Sequence, residues 1–171
     1  ESPRSVLPTG PRDVLLAAES GLFGLMGKRE YWLDFEVKLG GLLSPHTRAL
    51  ARFGNDHFLV ATDKGLNVST GTTGWQTFTG AEGLPILDLT GVAVGADGTV
   101  WLGSDQGLIR WQNARWTYLA SKRWLPADRV TAIAPAADGS VWVGTPQGLA
   151  HIYEQPMTLE AKAAVYQKDL E

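Results

Sequence analysis

Seven tryptophans in 171 residues, several with Asp, Gln or Arg a few positions away, are the side chains of this sequence best suited to holding a ligand. A pyranose has an apolar face and a polar rim, so its recognition calls for flat aromatic surfaces beside planar hydrogen-bonding groups. Trp101 and Trp142 have Asp105, Gln106 and Gln147 close in sequence. Trp111 and Trp124 occupy positions that do not recur, with Arg123 next to Trp124 in the stretch SKRWLPADR. These side chains are the candidate ligand-binding set, and Trp124 leads it because binding residues concentrate on loops.

Other chemistries find less support. His46, His57 and His151 share no spacing and pair with no nearby carboxylate in the manner of a zinc site, so no metal site is expected. With Cys 0 there is no thiolate nucleophile and no disulfide, and no phosphate-cradling, dinucleotide or nucleophile-elbow motif occurs. Asp34, Glu36, Asp88, Asp105 and Asp128 could supply carboxylate pairs, but any acidic surface does. Neither a catalytic residue nor a cofactor is therefore assigned. A formal net charge of -3 gives no basic field, which argues against nucleic acid and anionic membranes and for a neutral ligand or a protein partner. No apolar run approaches the roughly 20 residues that span a bilayer, so no membrane insertion is expected. The opening ESPRSVLPTG reads as a processed or excised start.

The elements that would carry these residues come from a repeat. DGTVWLGSDQGL at residues 97–108 returns as DGSVWVGTPQGL at 138–149. Anchored on Gly-Leu, four copies begin at Gly21, Gly65, Gly107 and Gly148, spaced 44, 42 and 41 residues apart. A period in the low forties built of short alternating segments signals a β-propeller with about four strands per blade. Each copy predicts an inner strand (near Val6, Leu50, Val92 and Ile133) and a two-residue hairpin, Asp97-Gly98, Asp138-Gly139 or Asn55-Asp56. A second strand apolar on both faces and a third strand opened by Gly-Leu follow, with Leu as a core plug. An outer strand carries Trp32, Trp75 or Trp116. In the last copy Pro156 stands where that strand would run, so the fourth blade is expected to lack it.

The expected fold is thus all-β: a propeller of about four blades, near 4–43, 44–84, 85–125 and 126–155, followed at 156–171 by a short amphipathic helix or connector. The helix rests on Leu159, Ala163, Tyr166 and Leu170 sharing a face, with Thr158 as N-cap. Four blades leave closure open between a compact ring, an arc that closes by oligomerising, and part of a larger propeller. The missing outer strand favours the arc or the part. An arc exposes apolar blade faces that call for a protein partner or self-association.

The block DGTVWLGSDQGLIRW, followed by DGSVWVGTPQGLAHI, resembles the two-component regulator propeller repeat. The first two copies depart from it, with Leu15 and Leu59 at the Trp position and Ala17 and Ala61 at the following Gly. The resemblance covers about residues 4–155. It implies a propeller in an extracytoplasmic, periplasmic or secreted, sensor region, with breakdown products of polysaccharides as ligands. The expected function is non-catalytic recognition of a saccharide. The propeller portion of a carbohydrate-active lyase or hydrolase, and an interaction scaffold, are the two alternatives.

Overall fold

The computed structural model describes residues 2–25, 27, 32–35, 41–70, 74–154 and 158–159, with backbone alone for 32–35. Four antiparallel sheets follow one another along the chain, each ordered as its strands occur in sequence. The first contains β1 (Ser5–Gly10), β2 (Asp13–Ala18), β3 (Gly21–Leu25) and β4 (Trp32–Phe35). The second contains β5 (Thr47–Phe53), β6 (His57–Thr62), β7 (Gly65–Thr70) and β8 (Gly74–Phe78). The third contains β9 (Leu89–Val94), β10 (Val100–Ser104), β11 (Leu108–Gln112) and β12 (Arg115–Leu119). Among the described residues the fourth has three strands, β13 (Ala132–Pro135), β14 (Val141–Thr145) and β15 (Gly148–Ile152). These are the blades of a β-propeller, as the repeat predicts.

Side chains that pair across strands share a face of the sheet, so the register assigns each residue to one neighbouring blade. In the second blade Leu50 pairs with Val60, and both pack toward the first blade with Leu15, Ala17 and Leu22. On the opposite face Leu59, Ala61, Leu66 and Val68 meet Leu102 and Ile109 of the third blade. Trp101 and Leu108 of the third blade meet Val141, Val143 and Ala150 of the fourth. A central strand apolar on both faces is what a sheet packed between two others requires.

The inner strands pack β1 on β5, β5 on β9 and β9 on β13, and no comparable contact joins β13 to β1 among the described residues. The inner strands of all four blades line a cavity of about 240 Å³. Hydrogen bonds tie the blades near it: Ser5 Oγ accepts from the Leu50 N–H at 3.1 Å, and Thr90 Oγ1 donates to the Val130 carbonyl at 3.0 Å.

The hairpins differ from expectation. Gly95 N–H donates to the Thr99 carbonyl and Gly98 N–H to the Gly95 carbonyl, so the loop has three residues and left-handed φ falls on Gly98 alone (82°). The fourth blade repeats this with Ala136, Ser140 and Gly139. In the second blade the left-handed residue is Gly54, not Asn55 or Asp56. A type I turn followed by one left-handed residue gives the flanking strands their twist with a single residue at positive φ. The C-terminal helix expected at 156–171 lies outside the described residues save for Thr158 and Leu159. No helix of the described residues is long and apolar enough to cross a membrane.

Candidate functional site: the groove between the third and fourth blades

In the third blade Leu108 pairs with Leu119 and Arg110 with Thr117, which turns all four toward the fourth blade. There the described sheet ends at β15, and no described strand pairs with its outer edge. A groove of about 690 Å³ is lined by Arg123 and Trp124 of the loop before the fourth blade and by Gly139 and Glu154, among others. A second lobe of about 640 Å³ shares Trp101, Arg110, His151 and Tyr153 with it and continues to the Asp97 and Asp138 turns. Arg110 crosses this space, its guanidinium 5.9 Å from the Trp101 ring centroid and its Nη1 2.5 Å from Glu154 Oε1.

Trp124 reaches the groove because its loop is anchored on both sides. Leu125 is buried in the core between the blades, and Ser121, at φ 69°, accepts hydrogen bonds from the N–H groups of Trp124 and Leu125 at 2.9 Å. Asp128 Oδ1 accepts from the Ser121 N–H at 2.6 Å. Trp124 remains 41% exposed, with the Arg123 guanidinium 5.6 Å from its ring centroid. An aromatic face next to a planar cation can stack on an apolar surface and donate hydrogen bonds at its rim.

The turn end of the groove is acidic and ordered. Thr99 Oγ1 donates to Asp97 Oδ2 at 2.7 Å, and the Thr99 N–H donates to Oδ1 at 3.0 Å. These bonds hold Asp97 below the usual carboxylate range, and the Ser140 hydroxyl and N–H do the same for Asp138. Ser140, Asp138 and His151 are also the residue types of a hydrolytic triad, but their order is different. The Ser140 hydroxyl donates to Asp138 at 2.6 Å, leaving its oxygen to accept from His151 Nε2 at 2.9 Å. The hydroxyl proton faces a carboxylate and not a base oriented by one, and Ser140 is buried, so this network braces the turn.

Residues 125–147 match the two component regulator propeller family. The sequence matches no curated protein. The chain superposes on the extracellular domain of a hybrid two component system from B. thetaiotaomicron with TM-score 0.75 and 19% identity, over 87% of this chain and 21% of that one. A second such domain from B. thetaiotaomicron gives 0.70 and 14%, over 88% and 21%. YCF48 bound to a D1 peptide gives 0.61 and 14%, over 94% and 54%. The chain thus spans about a fifth of the length of the first two structures.

On this propeller the candidate residues separate into groups. Trp124, Arg123 and Trp101 come together in the groove, but Trp101 is only 3% exposed and offers a ligand almost none of its surface. Trp111 lies elsewhere, in an aromatic cluster between the second and third blades with Phe78 at 5.3 Å, Phe53 at 6.1 Å and Trp116 stacked at 5.7 Å. Asp105, Gln106 and Gln147 sit on the β10–β11 and β14–β15 turns, outside the groove lining. Asp105 pairs there with Arg129 at 3.2 Å, and the Gln106 carbonyl accepts from the Tyr118 hydroxyl at 2.5 Å. Burial, and behind it the negative Asp128, raises the Tyr118 pKa. Trp142 and its pairing partner His151, stacked at 4.0 Å, share the opposite, outward face of the fourth blade, and His151 also borders the groove.

Sequence reading missed Arg110, His151, Tyr153 and Glu154. A signal for the first two was present: Arg110 and His151 stand at a repeat position held by Gly24 and Val68 in the earlier copies. A charged or titratable group on an otherwise apolar stripe is more informative than the recurring Trp.

Proposed function

We propose that this propeller is a non-catalytic recognition module of an extracytoplasmic sensor, taking a carbohydrate or oligosaccharide in the groove between its third and fourth blades. The observation that carries this is the half-exposed Trp124, with Arg123 beside it, in the lining of a 690 Å³ groove. That volume lies within the roughly 300–1,000 Å³ of small-ligand sites. Arg110, Glu154 and Tyr153 supply donors and acceptors along the wall. The likeness to extracellular sensor domains supports the setting, and the expected location is periplasmic or secreted.

A glycan array followed by calorimetry tests the reading. Binding of at least one saccharide is expected, weakened about tenfold or more in Trp124→Ala, since a stacked aromatic is worth on the order of 1–2 kcal/mol. Arg123→Ala should weaken the same ligand less. An array and calorimetry both silent, or a bound saccharide indifferent to Trp124→Ala, overturns it.

A further inference from the structure

Successive blades meet through one repeated pair of faces, and among the described residues the two outermost faces of the row have no such partner. In all three interfaces the Leu of Gly-Leu shares a cluster with a residue of the next blade's inner strand. Leu22 packs with Leu50, Leu66 with Val92, and Leu108 with Ile133. Leu22, Leu66 and Leu108 are each 0% exposed, whereas Leu149, the same position in the fourth blade, is 62% exposed. Beside it Trp142 is 42% exposed, although its counterpart Trp101 is buried. At the other end of the row Val6, the counterpart of Leu50, Val92 and Ile133, is 55% exposed. If the fourth blade closed on the first within one chain, these side chains would be covered.

We propose that the Trp142 and Leu149 face of the fourth blade docks on the Val6 face of the first blade in a second copy of this chain. The argument is continuity with the interfaces already present. Each end face has the apolar positions that complete the other, in the register that three internal interfaces use. The Trp142 ring, stacked on His151, adds a flat surface to the donor face. A contact between two different faces propagates head to tail and closes when the rotation allows. Two four-bladed arcs closing on a two-fold axis make eight blades, within the range of about 4–8 that propellers adopt.

Sedimentation velocity and light scattering should give a particle of twice the 18.5 kDa chain mass. Leu149→Glu and Val6→Lys should each shift it to monomer with the circular dichroism spectrum unchanged. Mixing the two variants should restore the dimer, because one interface of the mixed ring is native and the other joins opposite charges. The chain contains Cys 0, so Val6→Cys with Leu149→Cys provides a second readout that does not depend on those variants folding. Oxidation should yield a covalent dimer. A wild-type monomer at every concentration, a dimer that survives Leu149→Glu, or a disulfide formed within one chain overturns the proposal.

Discussion

Asp97 and Asp138 show how a repeated residue serves the fold. Each carboxylate accepts from a hydroxyl and a backbone N–H two residues on, and each is held below its ordinary pKa by those bonds, chiefly the hydroxyl one. A depressed folded-state pKa means that the unfolded chain takes up the proton first as pH falls. The stability these carboxylates contribute is complete above the unfolded value near 3.8 and disappears as pH drops through the lower folded value. A series of urea midpoints should therefore fall below about pH 4, and the fall should be shallower in the double variant Asp97→Asn, Asp138→Asn. Equal slopes would mean that other carboxylates dominate. The recurring Asp-Gly is visible in sequence as a turn, but the anchoring role of the following Thr or Ser is not, because it depends on where the hydroxyl points. Trp101 and Trp142 mark a harder limit. Their local sequences are nearly identical, yet one is buried and the other open, since burial is decided by a neighbouring blade some forty residues away.

At the level of strands and turns the sequence was most legible where a glycine answers to a backbone constraint. Gly65 has φ 132°, and a Cβ there would lie 2.4 Å from the Phe78 carbonyl oxygen. Gly98, at φ 82°, has nothing within 4 Å of the same atom. Thermal and urea unfolding should show Gly65→Ala costing roughly 3 kcal/mol. Gly98→Ala, which adds strain without a clash, should cost about 1 kcal/mol. Similar costs for the two would remove close approach as the reason for the conserved spacing of Gly-Leu within this chain. What the strand pattern did not disclose is the groove. It arises between Arg110, Thr117 and Leu119 and the edge of β15, with which no described strand pairs, and no segment by itself announces such a space. The hairpin length is hidden for a related reason: Asp-Gly suits a two-residue loop equally well, and the added residue is set by pairing of Val94 with Val100.

Among the described residues, three separate apolar clusters hold four blades, and each cluster lies between neighbours in the row. Such an object approximates a one-dimensional array, whose stability is a sum of unit terms and nearest-neighbour terms. The second and third blades are flanked on both sides, whereas the fourth touches one neighbour and has a free outer edge among the described residues. Native-state hydrogen exchange on dilute protein should find the amides of β6 and β10 opening only with global unfolding, and those of β14 and β15 opening earlier. Uniform protection across all four sheets would show a single cooperative unit instead. In the language of such arrays, a row has one fewer coupling than it has units, and its ends fray. A ring has as many couplings as units and no ends at all. The exposed Leu149 therefore marks the site at which a linear system with two boundary conditions could become a periodic one.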